Sequence, residues 1–312
     1  MALQLMTEKW PGEVSLVSIG ATPEEQGTRS HSLKIGGEKS LPCLFREGVL
    51  PHKPQIVFEV WDTAPLDWPE ELARSYKEVL ADPVKWAQMC VKDYKAQGIC
   101  LRLQGAHQDF GNKSPEEEAR LIQKILKSVR VPLVILGCGD EAKDNLILPA
   151  CSEAAKQERC LIGPATQDNY KTLVASALAD GHNIIAESPI DINIAKQLNV
   201  LISDRGLALE RIVIDPTIGA LGYGLEYAYS IMERARLAGL SGDKTLACPF
   251  ICFAGQEAWR AKEAKVGPAE QGIIWETLTA TALIQAGANL LVMRHPKAIE
   301  KVSKYIDNLF ER

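Results

Sequence analysis

Polar and charged residues that could do chemistry follow the ends of eight short apolar runs along the chain. They include no nucleophile–base–orienter set, and the sequence has no GxSxG motif, no HExxH motif and no phosphate-loop lysine. Amide, hydroxyl and carboxyl groups without acid–base machinery are consistent with a site that holds a cofactor carrying its own chemistry. The residues are Asp62, Thr63, Gln104, His107, Cys138, Gly139, Asp140, Thr166, Asp168, Asn169, Glu187, Ser188, Asp215, Thr217, Cys252, Gln256, Arg294 and His295.

Several of these positions also have a structural explanation. Ser188 is expected to cap a helix rather than to act as a catalyst, and Asp140 and Asp168 are candidate caps as well. Asp215 precedes a proline, so it either ends a strand or takes part in the site. His182 begins a strand at the opposite, structural end of the predicted sheet, and it is excluded from the chemistry.

Eight apolar runs, separated by helical patterns, predict the strands that position these residues. Alternating strands and helices imply right-handed crossovers, and eight units over roughly 250 residues predict a closed (β/α)8 barrel over residues 55–312. An open doubly wound sheet is the rival, but no GxGxxG motif follows an early strand. The predicted strands are Ile56–Val60, Ile99–Leu103, Leu133–Leu136, Cys160–Gly163, Asn183–Ala186, Arg211–Ile214, Leu246–Ile251 and Asn289–Met293.

The stretch Glu210–Gly239 shows how one unit is built. A β-branched run ends at Asp215-Pro216, a glycine-rich loop follows, and an amphipathic helix closes at Gly239 as a left-handed cap. A final helix is predicted from about residue 297 to residue 310. Three other helices are predicted to begin at a capping residue followed by proline, at Asp82-Pro83, Ser114-Pro115 and Ser188-Pro189.

Residues 1–54 do not follow this repeat and are predicted to form a β-rich N-terminal extension. Glu13–Gly20 and Ser32–Ile35 are interpreted as short strands, with a capping box at Thr22–Glu25 between them. Gly36-Gly37 favours a hairpin turn. The extension is interpreted as a lid or a plug of the barrel.

The bulk composition excludes several classes of partner. The 312 residues carry a net charge of -5 and contain no Lys/Arg-rich run, which argues against nucleic acid and against an anionic membrane surface. The start of the sequence lacks the basic-then-apolar pattern of a signal peptide, and no apolar stretch approaches the roughly 20 residues needed to span a bilayer. A cytoplasmic protein is expected.

Eight cysteines are scattered along the chain without a CxxC pair. Several lie in apolar strand or helix patterns, so reduced, mostly buried thiols are expected. An iron–sulfur cluster usually needs about four convergent thiolates. The nearest pair, Cys248 and Cys252, lies on an extended segment that holds the two thiols apart, and no cluster or zinc site is expected in this chain.

Two long loops are predicted at the C-terminal ends of the strands. One is WDTAPLDWP, with Trp61 and Trp68, and the other runs from Phe253 to Pro268 with mixed charge. Exposed aromatic residues beside mixed charge suggest a contact surface, although a solvated loop is the default interpretation.

Three segments carry a resemblance to a known family. VILGCGDEAKDN (134–145), IGPATQDNYK (162–171) and VIDPTIGALGYGLEYAYS (213–230) resemble, in this order, the small subunits of corrinoid iron–sulfur proteins of acetogenic bacteria. The match covers the whole chain. Broader relatives are the delta subunits of archaeal acetyl-CoA decarbonylase/synthase and, more distantly, pterin-binding methyltransferase barrels.

The resemblance implies a barrel that pairs with a larger subunit carrying a corrinoid and a [4Fe–4S] cluster. The heterodimer would carry a methyl group from methyltetrahydrofolate, through a methyltransferase, to CO dehydrogenase/acetyl-CoA synthase in the reductive acetyl-CoA pathway. The corrinoid motif DxHxxG begins at Asp180-Gly181-His182, but Ile185 stands where glycine is required. This chain is therefore not expected to supply a histidine to cobalt, nor any other metal ligand or catalytic residue.

The same resemblance implies that the loops at the C-terminal ends of the strands cover one face of the corrin, while the partner subunit holds the other face. This cover would swing aside for methyl transfer. Six residues are predicted to bind the cofactor, mainly through its peripheral amides: Thr63, Gln104, Thr166, Asn169, Asp215 and Thr217.

Two alternatives stay open. In one, the chain is a stand-alone pterin methyltransferase in which Asp140, Asn169 and Asp215 bind the pterin ring. In the other, it is a structural scaffold whose barrel is closed by its own side chains.

Overall fold

A computed structural model describes residues 6–311. Within these residues, two short antiparallel strands, β1 (Val17–Ile19) and β2 (Leu33–Ile35), precede eight parallel strands. The parallel strands are β3 (Gln55–Trp61), β4 (Ile99–Arg102), β5 (Leu133–Leu136), β6 (Leu161–Ala165), β7 (Asn183–Glu187), β8 (Ile212–Asp215), β9 (Phe250–Cys252) and β10 (Ala288–Met293).

The eight parallel strands of the described chain form a closed barrel in sequence order, and β10 pairs with β3 to close it. Helices follow each strand and cover the outside. They are α1 (Glu70–Arg74), α2 (Pro83–Lys92), α3 (Pro115–Ser128), α4 (Glu141–Ala154), α5 (Tyr170–Asp180), α6 (Ile192–Asp204), α7 (Leu225–Leu240), α8 (Ala254–Arg260), α9 (Lys262–Val266), α10 (Ala269–Ala286) and α11 (Pro296–Phe310). The predicted (β/α)8 barrel with a β-rich N-terminal extension is confirmed.

The barrel has two ends with different covers. We call the end at the C-terminal ends of the strands the mouth, and the opposite end the bottom. The sheet of β1 and β2, which we call the plug, packs four buried side chains against inward-facing strand residues such as Val57 and Val213. Burying each of these side chains stabilises the fold by roughly 1.5–3 kcal/mol. The plug side chains are Val17, Ile19, Leu33 and Ile35.

Hydrogen bonds attach the plug to the bottom. Asn183, at the start of β7, donates through Nδ2 to the carbonyl of Ser18 at 2.8 Å. The amide of Gly20 donates to the carbonyl of Arg159 at 2.8 Å. Of the two interpretations of the extension, lid or plug, the structure therefore favours the plug.

Three predicted details of the elements are wrong. The helix after β7 begins at Ile192, where Asp191 accepts hydrogen bonds from two backbone amides, and Ser188-Pro189 precedes it as a turn. Gly239 lies inside α7, where a Cβ would lie 2.9 Å from Cα of Ala247, so glycine there permits a close approach. Gly36-Gly37 follows β2 instead of joining the two strands of the plug.

The predicted strand Leu246–Ile251 is also too long at its start, because β9 covers only Phe250–Cys252. Pro249 cannot donate a ladder hydrogen bond. Ahead of it, the carbonyl of Ala247 accepts from the amide of Ser15 at 2.6 Å, so this segment supports the N-terminal extension. The capping boxes at Thr22 and Ser114 and the cap at Asp82 are confirmed. Within residues 6–311, no helix is both long and apolar enough to cross a bilayer.

Candidate functional site

A polar cavity of about 540 Å³ opens at the mouth of the barrel. Three of the six predicted cofactor-binding residues, Gln104, Asp215 and Thr217, line it. The volume falls within the range of about 300–1,000 Å³ that is common for small-molecule sites. Charged side chains on its wall come from β4, β7 and β8 and from α8, and they are Arg102, Glu187, Asp215, Glu257 and Arg260.

Behind the cavity wall, two arginines share one fully buried carboxylate. Glu59 on β3 accepts from Nε of Arg102 at 2.7 Å and from Nε of Arg294 at 2.7 Å. The indole of Trp61 donates to the same carboxylate at 2.8 Å. Burial alone would raise the pKa of Glu59, but the guanidiniums of Arg294 and Arg102 outweigh it and hold that pKa well below the usual range. Glu59 is therefore ionised, and the three side chains carry a net positive charge.

Arg294 is enclosed by two tryptophans. Its guanidinium lies 5.5 Å from the ring centroid of Trp61 and 5.0 Å from that of Trp68, distances typical of cation–π contacts. Both tryptophans are buried. The interpretation of these two aromatic residues as exposed is wrong, because both rings are buried against the guanidinium of Arg294.

Arg102 is the arginine that reaches the cavity. Its Nη2 donates to Oε1 of Gln256, and its guanidinium lies 5.9 Å from the ring centroid of Phe253. The side chain keeps 12% of its exposure. Within the part of the chain that the structure describes, no hydrogen-bond partner contacts its Nη1.

Two acidic residues lie at the ends of neighbouring strands on the wall. Burial, and next the charge of Glu187, raises the pKa of Asp215 to about 8. Burial also raises the pKa of Glu187. At neutral pH Asp215 is therefore mainly a neutral acid, while its Oδ1 accepts from the amide of Thr217 at 2.9 Å. This contact accompanies a left-handed backbone at Thr217, with φ of 53°.

A glycine-rich turn after β5 brings backbone to the cavity. Asp144 of α4 accepts from the amides of Cys138 at 2.8 Å and Gly139 at 3.1 Å. A Cβ on Gly137 would lie 2.4 Å from the carboxyl carbon of Asp144, so this position requires glycine. Burial raises the pKa of the Cys138 thiol to about 12, which makes it a poor nucleophile.

Three predicted cofactor-binding residues do not line the cavity. Thr63 is half-buried in the loop after β3. Thr166 and Asn169 close their own turn, since Oδ1 of Asn169 accepts from the amide of Thr166 at 2.7 Å. The hydroxyl of Thr166 donates to Glu141 at 2.7 Å. Local hydrogen bonding uses the polar atoms of these last two side chains.

The candidate caps have mixed outcomes. Asp140 is the N-cap of α4 and accepts from the amides of Ala142 and Lys143, which leaves it outside the cavity wall. Ser188 is buried and donates to the carbonyl of Asp215 at 3.3 Å, and it does not cap α6, whose N-cap is Asp191. His182 is buried at the bottom between Cys160 and Ser152, as a structural residue.

Sequence reasoning missed Glu59 and treated Arg102 only as part of a strand. The pattern that could have found them is a charged residue inside an otherwise apolar strand run, because such a charge must be paired when it is buried. Seven cysteines are buried, as expected for core thiols. Within residues 6–311, no group of three or more His, Cys, Asp or Glu side chains has the arrangement of a metal site.

Comparisons with solved structures agree with the barrel. The chain is similar to dihydropteroate synthase from Xanthomonas albilineans, with a TM-score of 0.59 and 11% identity over 83% of this chain and 94% of that one. It is also similar to dihydropteroate synthase from Thermus thermophilus, with a TM-score of 0.57 and 14% identity over 83% and 95% of the two chains. At these identities the likeness establishes the fold alone.

Sequence comparisons are more specific. The acetyl-CoA decarbonylase/synthase complex subunit delta of Methanocaldococcus jannaschii is 35% identical over 95% of this chain and 74% of its own length. The same subunit of Methanothermobacter thermautotrophicus is 36% identical over 97% and 77%. The profile of the family described as CO dehydrogenase/acetyl-CoA synthase delta subunit matches residues 17–305. The chain therefore belongs to the CO dehydrogenase/acetyl-CoA synthase delta subunit family.

Proposed function

We propose that this chain is the small subunit of a heterodimeric corrinoid methyl carrier, and that its mouth covers a corrinoid held by a larger partner subunit. The relatives are named as subunits of the acetyl-CoA decarbonylase/synthase complex, which supports a role within a multi-subunit assembly. The partners proposed are the large corrinoid and [4Fe–4S] subunit, a methyltetrahydrofolate methyltransferase and CO dehydrogenase/acetyl-CoA synthase. The cluster belongs to the large subunit, and the complex works in the reductive acetyl-CoA pathway in the cytoplasm.

The observation that carries this proposal is a set of exposed apolar side chains on loops and helices that follow the strands at the mouth, which we call the rim. Four large side chains on loops and helices after β3, β7, β8 and β9 are exposed, by 84% at Leu66, 43% at Ile190, 50% at Tyr223 and 76% at Val266. Exposed apolar side chains at the same end of the barrel as a polar opening favour a contact site, because leaving apolar surface in water is unfavourable. A partner that closes over the mouth would cover both the rim and the cavity.

The residues of the mouth fit a corrinoid at its edge. The cavity is sized for a small group, so the macrocycle would lie across the rim with peripheral side chains directed inward. Gln104, Gln256 and Arg102 offer donors, and Glu187 offers an acceptor, for primary amides. A bound corrinoid supplies a cobalt centre that accepts and releases a methyl group. This chain would shield that centre from water, orient it and move aside for transfer.

An absorption spectrum of the isolated chain, and then of its mixture with the purified large subunit, tests the proposal. We expect a colourless chain that changes the corrin bands of the partner on mixing. Unchanged bands at saturating concentrations of both chains would contradict it.

A stand-alone pterin enzyme is the second candidate. It is favoured by Asp215, a carboxyl on the cavity wall that is neutral at neutral pH and so presents both a donor and an acceptor. Against it, Asp140 caps a helix and Asn169 bonds its own turn, so the three residues predicted for the pterin do not converge. Calorimetric titration of the isolated chain with methyltetrahydrofolate separates the two, since tight binding by the isolated chain favours this candidate.

A further inference from the structure

Arg102 is held in one orientation by contacts on three sides. Glu59 accepts from its Nε at 2.7 Å, Gln256 accepts from its Nη2, and the ring of Phe253 lies 5.9 Å away. A guanidinium fixed in this way loses little further conformational entropy when it binds a ligand. Its Nη1 carries two N–H donors that have no partner within the described chain, and the side chain lines the cavity.

Glu187 is the complementary group on the same cavity. Its side chain lines the wall at the end of β7, and within residues 6–311 no hydrogen-bond donor contacts its carboxyl. The other acidic side chains there are engaged. Glu257 accepts from Gln256 at 2.8 Å and from Arg260 at 2.8 Å, and Asp215 accepts from Thr217.

Arg102 and Glu187 thus present an unpaired donor and an unpaired acceptor to the same cavity. An anionic ligand would pair with Arg102 but would meet the carboxyls of Glu187 and Glu257. A cationic ligand would pair with Glu187 but would meet the guanidiniums of Arg102 and Arg260. A neutral group with a carbonyl oxygen beside an N–H satisfies both unpaired groups, and a carboxamide has this form.

We propose that Arg102 and Glu187 form a carboxamide-binding site in which Arg102 donates to the carbonyl oxygen and Glu187 accepts from the N–H. Arg102 is then the residue that sets the specificity of the mouth. This inference rests on the proposed function for the source of the amide. A peripheral amide of the corrin and the lactam of a reduced pterin both carry the required group.

The test measures two dissociation constants for each variant of the full chain. One is for the corrinoid-loaded large subunit, followed by the corrin absorption bands, and the other is for methyltetrahydrofolate, followed by calorimetry. We expect Arg102→Met to weaken one of them roughly 10- to 100-fold, the loss expected for a charge-assisted hydrogen bond. A loss with the large subunit identifies a corrin amide, and a loss with the folate identifies the lactam.

Matched variants separate this contact from folding and from charge alone. Arg74→Met removes a surface arginine that pairs with Glu70 and Glu71 on its own helix, and it should change neither constant. Arg102→Lys keeps the charge but loses the planar fork, so binding should still weaken. If Arg102→Met does not fold, Gln256→Met frees the same guanidinium from one contact and should weaken binding several-fold.

A corrinoid in which one peripheral amide is hydrolysed to a carboxylate tests the role of Glu187. Loaded in the large subunit, it should bind the wild-type chain more weakly than the amide does, and Glu187→Gln should recover part of the loss. The inference is overturned if Arg102→Met leaves both constants within twofold, or if Arg102→Lys behaves as wild type. If the wild-type chain does not change the corrin bands at all, the proposed function fails, and the folate titration still tests Arg102.

Discussion

At the bottom of the barrel Arg29 uses all three of its nitrogens, whereas at the mouth Arg102 leaves Nη1 without a partner in the described chain. Arg29 donates to Glu158 at 2.8 Å, to Thr28, and to three backbone carbonyls. A similar buried pair joins Arg236 to Glu38 at 3.1 Å. Both ends bury charged groups, which is costly unless those groups are paired. Arg29 at the bottom is satisfied within the protein, whereas Arg102 at the mouth retains donors that a ligand could use.

The largest expected effect comes from breaking the bottom pair. Arg29→Met leaves Glu158 and several carbonyls buried without their donor, and we expect it to lower the free energy of unfolding by about 3–5 kcal/mol. Urea denaturation followed by circular dichroism measures this. Arg74→Met, at an exposed pair, should stay within about 0.5 kcal/mol of wild type. Equal losses in the free energy of unfolding for Arg29→Met and Arg74→Met would contradict the distinction between a buried and an exposed ion pair.

Next in size is the loss of apolar packing in the plug. Ile19→Ala empties a fully buried position and should destabilise the fold by about 2–5 kcal/mol. Because the plug lies at the end opposite the cavity, affinity for the corrinoid-loaded large subunit should be unchanged in the folded variant. Weakened binding with intact folding would show that the two ends are coupled.

The mouth, unlike the bottom, should make the free energy of unfolding depend on pH through Asp215. The folded-state pKa of Asp215 is raised to about 8 from a usual value of 3.8, so the folded chain retains a proton that the unfolded chain releases. The stability that Asp215 contributes is fully present below its pKa in the unfolded chain. It is lost as the pH rises toward and through its pKa in the folded chain. Between about pH 5 and pH 7, the free energy of unfolding of wild type should fall by about 1.4 kcal/mol per unit more than that of Asp215→Asn.

This comparison works because asparagine keeps the oxygen that accepts from the amide of Thr217. Urea denaturation at several pH values measures the two slopes. The exposed carboxyl of Asp168 provides the control, since Asp168→Asn should follow the slope of wild type. Parallel slopes for wild type and Asp215→Asn would contradict the conclusion that Asp215 is a neutral acid in the folded chain at neutral pH.

The smallest effect on stability is expected at the rim. Leu66→Asp and Val266→Asp alter exposed side chains and should stay within about 0.5 kcal/mol of wild type. Under the proposed function they should nevertheless weaken assembly with the large subunit, which analytical ultracentrifugation measures. Leu178→Asp, at an exposed apolar position on α5, is the matched control and should assemble as wild type does.

Most of the fold could be predicted because strands that are buried on both faces consist of apolar residues, and turn residues bound each of these runs. The prediction was wrong where tertiary contacts overrode the local pattern. Leu246 and Ala247 look like strand residues, but their segment supports the N-terminal extension before Pro249. Gly239 looks like a helix cap, but its missing side chain allows α7 to approach Ala247.

Less of the site could be predicted. The barrel rule indicates which strand ends converge, and Gln104, Asp215 and Thr217 do line the cavity. It does not indicate which side chains are used by the backbone nearby, and Thr166 and Asn169 are used in this way. Glu59 and Arg102 lie on the neighbouring strands β3 and β4, but Arg294 follows β10 and reaches Glu59 only because β10 closes the barrel against β3.

The closing strand has a consequence for synthesis of the chain. β10 completes the barrel against β3, and Asn289 at its start donates to Glu38, which lies 251 residues earlier. Contacts of such long sequence separation form slowly and late. A ribosome that has not yet released β10 therefore carries an open sheet with unpaired edges, the kind of intermediate that chaperones recognise. Barrel closure and the bond between Asn289 and Glu38 should therefore form late, and a functional mouth should form only afterwards.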